Sequence, residues 1–351
     1  MSMVDKGLVL VTGGSGFIGS HTIVELINDG YDVITLDNLS NSNQNCIQRI
    51  ELITGKKLPF YKVNLLDKET LNDIFEKHKV DYVIHFAALK SVSESTEQPL
   101  QYYENNVVGL LNLLRVMESH HVKNIVFSSS ATVYGEPQFL PLTEKHPIGN
   151  CQNPYGGTKF CCEVILKDLY ESDHSWNIIS LRYFNPVGAH SSGLIGEDPN
   201  GIPNNLMPYV TQVASGLRPT VNVYGNDYPT VDGTGVRDYI HIVDLAVAHT
   251  MSLNKIKQNC GLKIYNLGTG EGHSVLEMIH AMEKASSKKI PYIFCPRRPG
   301  DCASVYSDAS LALQELGWKS KYGIDKMCED MWNWQVKNPQ GYLTLMHSSD
   351  K

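Results

Sequence analysis

Tyr155 and Lys159 stand four residues apart in "NPYGGTK" (153–159). On a helix that spacing puts a phenol and an ammonium on one face, where both can address one reacting group. A phenol serves as a base near neutral pH only when neighbouring positive charge favours its ionised form. Upstream, Ser128, Ser129 and Ser130 in "FSSSATVYG" (127–135) end an apolar run, so their hydroxyls lie where a strand would deliver them to a ligand. A third feature is "TGGSGFIG", with Gly13, Gly16 and Gly19 in GxxGxxG spacing between an apolar run and the helix-like "SHTIVELINDG". Such glycines let the backbone approach a pyrophosphate, and the helix N-terminus meets its charge. Asp37 ends the second apolar run about 20 residues on, where a carboxylate accepts from the adenosine ribose and repels a 2′-phosphate. The expected cofactor is therefore NAD rather than NADP.

These groups must be held by regular elements. Short apolar runs alternate with amphipathic stretches: "LVLVTGG" (8–14), "DVITLDN" (32–38), "PFYKVNL" (59–65), "DYVIHFAA" (81–88), "NIVFSSS" (124–130) and "NIISLRYF" (177–184). Runs of this kind are strands buried on both faces of a parallel sheet. The expected fold is α/β, a doubly wound parallel Rossmann-type sheet with a smaller mixed α/β C-terminal lobe for substrate. The dinucleotide domain is expected over 1–188, with part of the later chain returning to it, and the substrate lobe over 189–345. The Gly-, Pro- and Asn-rich stretch after Ala189 reads as a long loop into that second lobe. Between 101 and 118, Val107, Leu110, Leu111, Leu114 and Met117 form a helical stripe suited to a core or a subunit seam.

The 351 residues allow one large α/β unit or two lobes sharing a cleft. A formal charge of -7 gives no reason to expect nucleic acid or an anionic membrane as partner. Eight cysteines without a CxxC pair indicate neither zinc nor a disulfide framework, and fit free thiols in a reducing cytosol. The opening "MSMVDKGLVLVTGG" is too short in apolar residues for a signal segment, so the chain is expected to be cytoplasmic.

Taken together, the serine, tyrosine and lysine set and the TGxxGxxG loop resemble the extended short-chain dehydrogenase/reductase family, which acts on nucleotide sugars. "FAALKSVSES", "NNVVGLLNLL", "LRYFNPVGAH", "GIPNNLMPYV", "VYGNDYPTVDGTGVRDYIH", "YNLGTG" and "PGD" are similar to its branch that inverts the C4 hydroxyl of UDP-sugars, from about residue 7 to about residue 340. The resemblance implies interconversion of UDP-galactose and UDP-glucose by transient oxidation at C4, with NAD tightly bound and regenerated each turnover. Tyr155 would be the base, Lys159 would favour its ionised form and hold the nicotinamide ribose, and Ser130 would relay the proton.

The same resemblance places Gly13, Gly16, Phe17, Ile18, Gly19, Asp37, Asn38, Asn64, Leu65, Phe86, Ala87, Ala88, Lys90, Asn105, Ser128 and Tyr183 around the dinucleotide, beside Tyr155 and Lys159. It places Lys90, Ser130, Phe184, Asn185, Asn205, Leu206, Asn222, Val223, Tyr224, Arg237, Arg298, Asp301 and Val305 around the UDP-sugar, with Arg237 and Arg298 opposing the diphosphate. No metal and no nucleic acid is implied. A homodimer is, with the 107–117 stripe and the Tyr155 helix suited to a four-helix seam. Asn64 departs from the family's usual aspartate near the adenine; its amide oxygen could still accept from the exocyclic amine. Ala88 replaces a frequent glycine, and Gly157 and Thr158 lie between Tyr155 and Lys159. Val305 matches a position where a bulky aromatic closes the sugar pocket in some members, so N-acetylated UDP-sugars are expected to enter here. Two rivals fit less well. A nucleotide-sugar 4,6-dehydratase needs an acidic pair just after the active-site hydroxyl, where this chain has Ala131 and Thr132. A non-catalytic NAD sensor would be expected to lack Tyr155 or Lys159.

Overall fold

The six apolar runs become the first six strands of the protein: β1 (Leu8–Thr12), β2 (Asp32–Asp37), β3 (Phe60–Lys62), β4 (Tyr82–His85), β5 (Asn124–Ser130) and β6 (Asn177–Tyr183). In this computed structural model residues 6–298 and 300–345 are described. Met1–Asp5, part of the opening stretch read above, and Pro299 of "PGD" lie outside them. Helices separate the strands: α1 (Phe17–Asn28), α2 (Asn45–Thr54), α3 (Lys68–Lys77), α4 (Val92–Glu97), α5 (Pro99–Tyr103), α6 (Gly109–Ser119) and α7 (Pro154–Ser172). All strands of the main sheet are parallel, in the order β3, β2, β1, β4, β5, β6, closed at the far edge by a strand from late in the chain. The order reverses between β1 and β4, and ligands of such sheets bind at the carboxyl ends beside that reversal. The glycine loop, the serine run and the Tyr155 helix all begin at that edge.

Beyond β6 come β7 (Asn185–Val187), α8 (Leu206–Ala214), β8 (Val221–Tyr224), β9 (Val236–His241) and α9 (Ile242–Ile256). Then follow β10 (Leu262–Leu267), β11 (Gly272–Ser274), α10 (Val275–Ser286), β12 (Tyr292–Cys295), β13 (Ser304–Val305), α11 (Ser310–Leu316) and α12 (Ile324–Lys337). β10 is the seventh strand of the main sheet, parallel to β6. α9 lies on that sheet too: Leu245, Ala248 and Leu253 share a buried cluster with Ile23 and Ile27 of α1. The other late strands form small mixed sheets, with β9 flanked by β7, β11 and β13 and β8 paired to β12. As expected, the Gly- and Pro-rich stretch between β7 and α8 carries no helix or strand.

The stripe on α6 takes one of the two roles its spacing allowed, that of core. Leu110, Leu114 and Met117 are buried in the chain's own core with Leu113, Val116 and residues of α3, while Val107 and Leu111 are half-buried. The apolar residues left outside on this side are Leu100, which is 84% exposed, with Tyr103, Val108 and Val164. Periodicity marks a buried face without saying which surface buries it.

Candidate active site

At the carboxyl edge of the main sheet a cleft of about 560 Å³ opens between the strand ends and the later small sheets. That is ample for a small-molecule or cofactor site. Its floor is the glycine loop. Gly13 has φ +71°, and a Cβ added there would sit 2.8 Å from the Ala87 nitrogen; one at Gly16 would press on the Gly13 carbonyl. The turn is therefore closed to larger residues. Asp37, at the end of β2, is buried and accepts from the Ser15 N–H at 3.1 Å, the Leu39 N–H at 2.9 Å and the Ser42 hydroxyl at 2.9 Å. Burial raises its pKa, and those three donors act in the opposite direction. A Cβ-intolerant cradle, a helix N-terminus and a fixed carboxylate at the second strand fit the phosphates and ribose of NAD.

The catalytic candidates come from neighbouring strand and helix ends. β5 delivers Ser128, Ser129 and Ser130, and Asn153 caps α7 by accepting from the Gly156 N–H at 2.9 Å. This cap, with Pro154 in the first turn, fixes where the Tyr155 helix starts. Lys159 is buried one turn in, and its ammonium donates to the Ser128 carbonyl at 2.6 Å. It lies 6.0 Å from the centre of the Tyr155 ring and 5.0 Å from that of Phe127. Burial lowers the Lys159 pKa to about 8, with Cys162 and Glu163 pulling the other way. Burial pushes the Tyr155 phenol up to about 12, opposed by its hydrogen bond with Ser130. In the protein alone, then, desolvation outweighs the Ser130 hydrogen bond, and the phenol is not yet a neutral-pH base.

Behind this pair, α7 is tied to the sheet by buried charge. Glu163 accepts from Arg182 of β6 through both oxygens, at 3.0 and 2.6 Å, and from the Ser129 hydroxyl at 2.5 Å. Arg182 also donates to the Tyr134 hydroxyl at 3.0 Å. Tyr183 is held similarly. Nδ1 of His249 lies 2.8 Å from the Leu245 carbonyl and so carries the proton, leaving Nε2 to accept from the Tyr183 hydroxyl at 2.6 Å. A π-helical turn at Glu104–Val108, between α5 and α6, puts Asn105 on the cleft wall.

Almost every residue singled out from the sequence meets in this cleft. The wall includes Gly13, Gly16, Phe17, Ile18, Gly19, Asp37, Asn38, Asn64, Leu65, Phe86, Ala87, Ala88, Lys90, Asn105 and Ser128. It continues through Ser130, Tyr155, Lys159, Tyr183, Phe184, Asn185, Asn205, Leu206, Arg237, Asp301 and Val305. Four expected substrate residues do not line it. Val223 is a core side chain of β8, packed with Met207 and Met278, because alternate residues of that strand face inward. Asn222 and Tyr224 point to the other face of β8. Arg298 is outside, bonded to Asp301 at 2.8 Å with its guanidinium 4.9 Å from the Tyr224 ring centre. Arg237 does reach the wall, and donates to the Val236 and Cys302 carbonyls. The Asn64 amide oxygen accepts from the Leu66 N–H at 3.0 Å, which orients the amide and leaves the oxygen a second lone pair.

Sequence reasoning missed Glu197, which lies on the cleft wall in the long loop and pairs with Lys90 at 2.9 Å. "LIGEDPNG" has no periodicity and no motif to mark it. His249 and Glu163 were missed for the same reason, as polar residues on helix faces whose partners come from distant strands.

The sequence model of the GDP-mannose 4,6 dehydratase family matches residues 10–331. Over 342 residues the chain is 58% identical to the UDP-glucose 4-epimerase of Drosophila melanogaster, covering 95% of this chain and 98% of that one. It resembles the crystal structure of UDP-glucose 4-epimerase from Bifidobacterium longum in complex with NAD+ and UDP, with a TM-score of 0.93, 55% identity, and 95% and 99% of the two chains covered. The Stenotrophomonas maltophila UDP-glucose-4-epimerase with bound NAD and formylated UDP-arabinopyranose gives 0.92 and 49%, over 94% and 98%.

Proposed function

The chain belongs to the UDP-glucose 4-epimerase family, within the broader family of the GDP-mannose 4,6 dehydratases, and from that membership we propose how its cleft works. It is an NAD-dependent isomerase that interconverts UDP-galactose and UDP-glucose. The observation that carries the mechanism is the convergence of Ser130, Tyr155 and Lys159 on one cleft with the glycine loop and Asp37. Nothing after Ser130 supplies the acid pair of a dehydratase, because Ala131 and Thr132 occupy those places.

Tyr155 takes the proton of the sugar C4 hydroxyl, with Ser130 bridging the two oxygens. NAD, when bound, supplies the acceptor and then the donor of the C4 hydride, and its positive charge adds to that of Lys159. With that charge beside it, Lys159 would bring the phenol down from the high value that burial gives it. Gly13, Gly16, Phe17, Ile18, Gly19, Asp37, Asn38, Leu65, Phe86, Ala87, Ala88, Asn105, Ser128 and Tyr183 hold the dinucleotide, and Asn64 meets the adenine end with its amide. Lys90 and Arg237 hold the diphosphate, and Phe184, Asn185, Asn205, Leu206, Asp301 and Val305 surround the rest of the UDP-sugar. Arg298 reaches it by leaving Asp301, which its exposure permits. Asn222 and Tyr224 meet the uridine from the rim.

In this reading residues 1–188, with β10 and α9 returning, form the NAD-binding domain and 189–345 the UDP-sugar lobe. The enzyme works as a cytoplasmic homodimer through the side bearing Leu100, Tyr103, Val108 and Val164; among the described residues no helix is long and apolar enough to cross a membrane. Val305 leaves room for an N-acetyl group, so UDP-N-acetylglucosamine and UDP-N-acetylgalactosamine are interconverted as well. The test is turnover of both substrate pairs by the purified protein with no NAD added. Conversion should proceed, denaturation should release NAD, and Val305→Tyr should remove the N-acetyl activity and spare the other. A strict need for added NAD contradicts the retained cofactor, and no turnover of UDP-N-acetylglucosamine ends the claim for Val305.

A further inference from the structure

Glu197 lies in the long loop between β7 and α8, and the loop is pinned on both sides of it. Before it, the Gly196 carbonyl accepts from the Tyr342 hydroxyl at 3.1 Å; after it, Asp198 accepts from the Tyr342 N–H at 2.7 Å. Asn200 then reaches across to the loop after β2, donating to the Asn41 side chain at 3.0 Å and the Ser40 carbonyl at 3.2 Å. Between these anchors the Glu197 side chain is only 5% exposed. One oxygen accepts twice, from the Lys90 ammonium at 2.9 Å and from the Asn205 amide at 3.1 Å. The other is buried with no hydrogen-bond partner.

We propose that Glu197 is a positioning residue, a rigidly presented acceptor that sets the Lys90 ammonium and the Asn205 amide at the spacing a UDP-sugar needs. Lys90 follows β4 of the main sheet, whereas Asn205 caps α8 beside the later sheets. One carboxylate oxygen thus joins the two walls of the cleft. Fold stability does not explain the arrangement. Lys90 and Asn205 are both exposed and could turn to water, so removing the Glu197 carboxylate leaves neither of them buried without a partner. What its removal disturbs is the placement of two ligand-binding groups. The inference rests on the functional reading above, in which those two groups hold substrate.

The test compares Glu197→Met, which keeps the volume and removes the acceptor, with Glu197→Gln, which keeps an acceptor oxygen. UDP-glucose binding is measured by calorimetry, with KM, kcat and melting temperature alongside. The expected result for Glu197→Met is binding weakened about tenfold, as for the loss of one to two hydrogen bonds, with KM raised alike. Its kcat and melting temperature should stay near those of the unaltered enzyme. Glu197→Gln should recover most of the binding, and Glu197→Met should have a smaller effect in an Asn205→Ala background, where only the Lys90 contact is left to lose. The proposal is overturned by unchanged binding in Glu197→Met, by a lowered melting temperature that accounts for the loss, by no recovery in Glu197→Gln, or by additive effects with Asn205→Ala. Failure of the unaltered protein to bind UDP-glucose would instead overturn the functional reading itself, and this inference with it.

Discussion

Two titratable groups in the cleft are pushed the wrong way by their own burial, and that conflict is the mark of a working site. In the proposed mechanism Tyr155 has to ionise and Lys159 has to stay charged, yet desolvation opposes both. Tyr155→Phe removes the base and leaves the ring's packing, so turnover should fall by about 10²–10⁴-fold while the melting temperature holds; steady-state kinetics and a thermal melt check it. Lys159 carries a stability consequence with a definite sign. Its pKa drops on folding from the ordinary 10.5 to about 8, so below pH 8 the fold bears the full cost of a buried charge, of order 3 kcal/mol. As pH rises from 8 towards 10.5 the unfolded chain binds more protons than the native one, and that cost is relieved. Lys159→Met should therefore be inactive but more stable near pH 7, with an advantage that shrinks across that window in denaturation curves. The sequence made these two residues legible because their i,i+4 spacing is a local property. It could not show Glu197, whose meaning depends on where two distant side chains arrive.

Elements place these residues, and the best evidence is how α7 is held. Its start is set locally by Asn153 and Pro154, which the sequence displays in "NPY". Its seating on the sheet is set by Glu163 and Arg182, both nearly fully buried, which join α7 to β6 behind the catalytic pair. Glu163→Ala leaves the Arg182 charge buried without its counter-ion and should cost about 3–5 kcal/mol. Because Ser129 loses its acceptor too, turnover of the surviving folded protein should fall as well. Denaturant unfolding and kinetics on the same preparation check both. The strands themselves were easy to read, since strands buried on both faces are continuous apolar runs. β8 was harder. A short strand alternates its faces, so Val223 turned out to be core while its two neighbours remained free to meet a ligand. The stripe on α6 is core, one of the two roles its periodicity allowed, and periodicity alone does not choose between them.

At the scale of the whole molecule, the order of the main sheet brings the glycine loop, the serine run and the Tyr155 helix to one edge, facing the later sheets across the cleft. The doubly wound half was legible from alternation alone. The return of α9 and β10 to that sheet was only partly so, because connectivity over such distances is not a local pattern. The closed arrangement implies that the hydrogen taken from C4 never leaves the cleft. UDP-galactose carrying deuterium at C4, turned over by the purified enzyme in ordinary water, tests this most directly. The product should be UDP-glucose with the deuterium still at C4, and loss of that label to solvent would mean that the hydrogen escapes the cleft.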